Sequence, residues 1–257
     1  MTDSSTNEPR RSAVITGGGT GLGFATAAAL HAEGWHLTLV GRRADVLESA
    51  ATRLAGPAGT IATAVADLAE PDAPAEVVAA HVARFGGIDA LVASAGSYEL
   101  VDTREMTASA WDSTMDTQLR GAVLCAAAAA RPMVAAGSGR IVLLSSVNGL
   151  HSEPASLAYS AAKAAIISVA RTLAVDLAGT GVTANAVAPG WVITPMTEAY
   201  LATTSPEQLQ RVNPLGRAGR PEEIAAVIRF LIVDAPEFLT GATITVDGGQ
   251  TAMAPMP

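Results

Sequence analysis

The chain has 257 residues, 49% of them apolar and 16% charged, with a formal net charge of −8. This suits one large α/β domain or two small ones with ample core, and the acidic balance supplies no basic face for phosphates, which argues against a nucleic-acid partner. A lone cysteine, Cys125, cannot form an internal disulfide, and His31, His36, His81 and His151 lack metal-ligand spacing, so no metal site is expected.

Residues 1–10 are polar and read as a disordered tail, leaving a single domain over 11–257. The longest fully apolar run, Ala122–Ala130, is well short of the ~20 residues that span a bilayer. The expectation is a soluble cytoplasmic protein without a membrane partner. Ala13–Thr16 predicts a short strand that runs straight into Gly17-Gly18-Gly19-Thr20-Gly21-Leu22-Gly23. An Ala-rich helix over Phe24–Glu33 stops at Gly34, and His36–Val40 predicts a second strand. Strand, glycine loop, helix and strand make the βαβ unit of a dinucleotide fold. Backbone N–H groups at the helix N-terminus attract an anion, and missing side chains let a pyrophosphate approach.

The alternation continues along the chain. A helix over Ala44–Leu54 precedes a strand over Thr60–Ala66 that ends at Asp67. A helix over Ala73–Phe85 precedes a strand over Ile88–Ala93 that ends in Ser94-Ala95-Gly96. A long helix over Ala108–Ala136 leads to the strand Arg140–Leu144 and to Ser145-Ser146. An apolar run from Ala155 to Ala178 reads as one helix carrying Tyr159 and Lys163, and the strand Val182–Val187 ends near Pro189-Gly190. Met196–Pro214 breaks the rhythm with a short helix flanked by prolines, which suggests a lid over about 195–214. Glu222–Val233 predicts the last helix and Ala242–Val246 the last strand. The fold class is α/β: a single Rossmann-type, doubly wound parallel sheet with helices on both faces. Ligands in such sheets bind beyond the carboxyl ends of the strands, where the glycine loop, Asp67, Ser94–Gly96, Ser146 and Pro189–Gly190 converge.

Tyr159 and Lys163 stand four apart and so share a helix face. Such a pair is usually a surface pair, but a fixed ammonium beside a phenol lowers its pKa from about 10 and suits it to general acid/base work. With this pair in place, the chain from Arg11 to Gly249 resembles the classical short-chain dehydrogenase/reductase family. The resemblance rests on Thr16-Gly17-x-x-x-Gly21-x-Gly23, on Ser146 thirteen residues before Tyr159, and on Tyr159-x-x-x-Lys163. Asn185-Ala186-Val187-Ala188-Pro189-Gly190 with Thr194, and Asp247-Gly248-Gly249, complete it.

The resemblance implies hydride transfer between a nicotinamide and a ketone/secondary alcohol pair. Tyr159 would be the acid, Ser146 the donor to the carbonyl oxygen, and Lys163 the group that lowers the tyrosine pKa and binds the nicotinamide ribose. Gly17, Thr20, Gly21, Leu22 and Gly23 would cradle the cofactor, Ala95 and Gly96 would let it approach, and Pro189, Gly190, Val192 and Thr194 would hold the nicotinamide. The chain departs from the family twice: Ala93-Ser94-Ala95-Gly96 replaces Asn-Asn-Ala-Gly, and Gln118 stands where an asparagine normally supports a proton-relay water near the lysine. A Gln118 amide that reaches Lys163 directly would displace that water.

The second strand ends in Val40-Gly41-Arg42-Arg43. Enzymes preferring NAD usually carry an acidic residue at the Gly41 position, whereas an arginine next to it, here Arg42, suits a 2′-phosphate. NADP(H) is therefore the expected cofactor, with NAD(H) possible, and Asp67 and Leu68 would border the adenine. Ser97, Tyr98, Asn148, Glu153 and Trp191 are the candidate substrate-pocket residues for a small carbonyl or alcohol. The alternative function is a cofactor-binding sensor or scaffold with little turnover. Epimerases and dehydratases of this fold carry a longer substrate domain, and enoyl reductases space their Tyr and Lys further apart. Two helices apolar over more than one stripe must bury them; with the family's habit of pairing these helices, that predicts a homo-oligomer, expected to be a tetramer.

Overall fold

The computed structural model describes residues 11–56 and 58–253, so the expected tail over residues 1–10 lies outside the described residues. Seven strands form one parallel sheet: β1 (Ser12–Thr16), β2 (His36–Gly41), β3 (Ile61–Val65), β4 (Ala90–Ala93), β5 (Gly139–Leu144), β6 (Val182–Pro189) and β7 (Thr243–Val246), in the order β3-β2-β1-β4-β5-β6-β7. The order reverses between β1 and β4, which opens a crevice at their carboxyl ends. Register brings those ends level: Thr16 faces Val40 on one side and Ala93 on the other, Ala93 faces Leu143, and Leu144 faces Val187.

Successive side chains of a strand point to opposite faces, and the strands are apolar on both. Val14 and Leu91 join Ile141, Leu143, Met133, Ile166 and Ala170 in one core, packed by α3 (Ala73–Phe85), α5 (Gly121–Ala136) and α6 (Leu157–Asp176). Ile15, Val92, Leu37 and Leu39 point the other way and meet Leu30, Leu47, Ile224 and Ile228 from α1 (Gly21–Ala32), α2 (Ala44–Leu54) and α9 (Pro221–Val233). Each large side chain so buried is worth roughly 1.5–3 kcal/mol relative to exposure. By length and hydropathy the helical stretches Ala108–Ala136 and Leu157–Asp176 could cross a bilayer; here both lay a face on the sheet through Met133, Ile166 and Ala170.

The structure refines three expectations. α1 begins at Gly21, inside the glycine loop, so its free N–H groups open directly onto the crevice. The long helix is α4 (Ala108–Met115), a π turn over Asp116–Arg120, and α5, and the wider turn rotates Gln118 into a buried position. The stretch after β6 holds two short helices, α7 (Glu198–Leu201) and α8 (Pro206–Val212), where one was expected. Ser205 and Gln208 form a capping box that starts α8.

Candidate active site

The glycine loop needs its glycines. Gly17 has φ +66°, a left-handed conformation, and any side chain on Gly23 would collide with the Gly17 carbonyl. Thr16 then braces the neighbouring strand end, its Oγ1 accepting hydrogen bonds at 3.0 Å from the backbone N–H groups of both Ser94 and Ala95. These features line a cavity with Gly17, Thr20, Gly41, Arg42, Arg43, Asp67, Leu68, Ala95 and Gly96 along its wall. Arg42 and Arg43 are exposed at its rim. The cavity is closed further by Gly19, Val40, Val46, Leu47, Ala66, Ala69 and Thr117, which sequence reasoning had not singled out. Thr194 lies against Gly21, its methyl 3.3 Å from where a Cβ would stand, so the chain after β6 meets the loop after β1.

A second cavity opens beyond β5 and β6. Ser146, Tyr159, Tyr98, Asn148, Glu153, Gly190 and Trp191 line it together with Met196 and Thr197. Ser146 caps the short turn Val147–Gly149, with its Oγ accepting from Asn148 N–H at 3.1 Å. Ser145, one residue earlier, donates to the Lys163 carbonyl at 2.8 Å and so fastens β5 to α6. Tyr159 shares the cavity wall with Ser146, and its ring meets the Tyr98 ring edge-on at 5.0 Å. Tyr98 also sits edge-on to Trp191, which stacks on Tyr200 at 4.4 Å. Tyr98 donates to Glu153 Oε1, and Asn148 Nδ2 donates to the same oxygen at 2.6 Å. Ser97 was expected at this wall but is absent from it; its carbonyl accepts from the Gln118 amide.

The electrostatics correct one expectation. Tyr159 is pushed up to about 12, because burial outweighs the hydrogen bond from Ser146 that pulls it down, and Glu153 raises it further. Lys163, 6% exposed, is pulled down to about 8 by burial. Its ammonium stands 5.5 Å from the centre of the Tyr159 ring and donates to the Leu144 carbonyl at 2.9 Å. The pair shares a helix face as the spacing required, but with the lysine turned to a carbonyl, burial decides the phenol. Gln118 does not reach for the lysine either. Its Nε2 donates to Ser97, and its Oε1 is buried without a partner, against Gly96. Cys125 is fully buried and pushed up to about 12, an inert apolar filler.

A solved structure titled as a short-chain type dehydrogenase/reductase from Mycobacterium ulcerans superposes with a TM-score of 0.89 at 32% identity, covering 94% of this chain and 90% of that one. A family model described as Enoyl-(Acyl carrier protein) reductase matches residues 17–251.

The chain is a classical short-chain dehydrogenase/reductase.

Among curated members of the family, cis-4-hydroxycyclohexanecarboxylate dehydrogenase of Sinomonas cyclohexanicum is 38% identical, over 95% of this chain and 97% of its own length. The crystal structure of levodione reductase matches with a TM-score of 0.89 at 34% identity, over 95% of this chain and 98% of that one. As a short-chain dehydrogenase/reductase with such relatives, the protein is an oxidoreductase acting on alcohol and ketone groups. Of these two cavities, one runs from the glycine loop and the other carries Ser146 and Tyr159.

Proposed function

We propose that the protein transfers hydride between NADP(H) and a ketone/secondary alcohol, with Tyr159 as the general acid/base. The observation that carries this reading is the convergence of Ser146 and Tyr159 on one cavity wall. Residues of the glycine-loop cavity fit a dinucleotide: free N–H groups at the start of α1, glycines that leave room for a pyrophosphate, and two arginines at the rim. When bound, that cofactor supplies or accepts the hydride. Ser146 holds the carbonyl oxygen and Tyr159 delivers the proton to it. Lys163 would hold the nicotinamide ribose and bring its charge to the phenol, in place of its present bond to the Leu144 carbonyl. Arg42, on the wall of that cavity, would hold the 2′-phosphate, which a Gly41 without a carboxylate would leave unopposed. Residues 195–214 close over the site as a lid, led by Met196 and Thr197, which already touch the cavity.

The test is oxidation of NADPH and NADH against a panel of cyclic, aryl and β-ketoester ketones and an enone. Ketone reduction with NADPH preferred is the expected result. Tyr159→Phe keeps the ring packing against Tyr98 and removes the proton, so turnover should fall by about a hundredfold to ten-thousandfold with cofactor affinity nearly unchanged. Cofactor binding with no turnover of any ketone would replace this reading by that of a sensor or scaffold.

A further inference from the structure

We infer that Glu153 is a substrate-reading carboxylate that selects carbonyl compounds bearing a neighbouring hydroxyl, and the corresponding diols, over plain ketones and over carboxylates. The inference rests on the ketone/alcohol reading above and names the class of molecule the same cavity takes. Glu153 lines the cavity beside Tyr159 and Ser146. Tyr98 and Asn148 both donate to its Oε1, and among the described residues Oε2 accepts no hydrogen bond. An ionised carboxylate offers about four acceptor positions, so the anion enters the site only partly satisfied. No lysine or arginine lines this cavity, which leaves Glu153 its one charge.

The carboxylate is also held in place. Ser156 Oγ donates to the Glu153 carbonyl at 2.7 Å, and Val101 N–H donates to the Ala155 carbonyl at 2.8 Å. Between them Ala155 adopts φ +62°, a left-handed conformation unusual for a residue with a Cβ. Asn148 is 7% exposed, and its backbone N–H donates to the Ser146 Oγ that caps its turn. A carboxylate fixed in this way gains from a substrate donor without ordering its own side chain.

A hydroxyl next to the reacting carbonyl supplies that donor. During reduction it keeps its proton and only hydrogen-bonds Glu153, while the carbonyl oxygen receives its proton from Tyr159. A ketone without the hydroxyl leaves the carboxylate unsatisfied in a site from which it has displaced water. A carboxylate in the same place meets like charge. Trp191 has one face covered by Tyr200 and faces the edge of Tyr98, so the aromatic residues do not form a cage for a cation. This favours a neutral hydroxyl over an ammonium.

The experiment compares kcat/KM for hydroxyacetone, acetone, pyruvate and aminoacetone, and for hydroxycyclohexanone against cyclohexanone, with the full-length enzyme and its preferred cofactor. The hydroxyl member of each pair is expected to be favoured by about tenfold or more, the worth of one charge-assisted hydrogen bond, with pyruvate the poorest substrate. In Glu153→Ala the preference should collapse to within about twofold. In Glu153→Gln, which still accepts a hydrogen bond but carries no charge, part of it should remain and pyruvate turnover should rise. These are ratios within one variant, so a general loss of activity or stability does not move them. Equal rates on hydroxylated and plain ketones, a preference unchanged in Glu153→Ala, or a preference for aminoacetone would overturn the inference while leaving the reductase reading intact. Failure to reduce any ketone would remove both.

Discussion

Tyr159 and Lys163 stand four positions apart on one helix, and a nearby ammonium favours a phenolate. In the folded chain the ammonium is spent on the Leu144 carbonyl and the phenol sits near about 12. The sign can be checked without substrate. An ultraviolet titration of cofactor-free protein, wild type minus Tyr159→Phe, should show no phenolate from Tyr159 below the ordinary tyrosine value of about 10. A phenolate appearing near pH 7 to 8 would mean that Lys163 already acts on the tyrosine before cofactor binds. Arg42 is the other residue whose role has a single measurable consequence. Arg42→Ala should weaken NADPH by roughly tenfold to a hundredfold, about 1.5–3 kcal/mol for a charge-assisted contact, and barely affect NADH. Equal weakening of both would assign the 2′-phosphate to another group, with Arg43 the adjacent candidate.

At the scale of the element, the π turn between α4 and α5 is where local sequence and tertiary contact meet. Its extra residue per turn brings Gln118, 2% exposed, under the Ser97 carbonyl and against Gly96. The amide ties this helix to the segment leaving β4 and, among the described residues, makes no hydrogen bond to Lys163. Asparagine at this position, one methylene shorter, would leave the Ser97 carbonyl without its donor. Gln118→Asn should therefore cost about 1–3 kcal/mol of stability, the penalty for a buried unpaired group. Its single-turnover rate should stay within about threefold, under ~0.7 kcal/mol of barrier. Thermal melting and rapid-mixing kinetics separate the two. Normal melting with a large single-turnover loss would return Gln118 to the chemistry.

At the scale of the whole molecule, acid stability runs through a buried histidine. His81 on α3 bonds Thr38 on β2 at 2.7 Å and Ser12 on β1 at 3.1 Å, and Ser12 donates in turn to Asp89. Burial, helped by the charge of His36, lowers it from 6.5 to about 4. Between those values the unfolded chain binds the proton and the folded one does not, so stability falls as pH drops through that window and levels off below it. The full loss is about 3 kcal/mol. His81→Gln can keep one donor and one acceptor without titrating, and its melting temperature should be flatter from pH 6.5 to 4; an unchanged slope would place the acid sensitivity elsewhere. Assembly is the second whole-molecule expectation. Leu157 and Val175 on α6, Phe230 on α9 and the fully exposed Phe238 leave apolar surface in water. A tetramer by light scattering at micromolar concentration is expected, and a monomeric mass would refute it.

The alternation of apolar strands and helices and the glycine loop lie in short-range pattern, so the sequence alone determined the parallel sheet and, through its resemblance to a known family, the class of reaction. Strand faces follow a period of two and helix faces a period of 3.6, and those periods are written residue by residue. What the tertiary structure alone decided depends on partners distant in the chain. Asn148 and Glu153 are near neighbours in sequence, but Tyr98, which completes their cluster, comes from the segment after β4. Ser97 carries the same kind of side chain as many pocket residues, yet its neighbour Tyr98 takes the wall. The direction of the Tyr159 shift was equally out of reach, because it is the outcome of burial against charge. Neither term is defined until the sheet, α6 and the loops at its carboxyl edge have closed around the phenol.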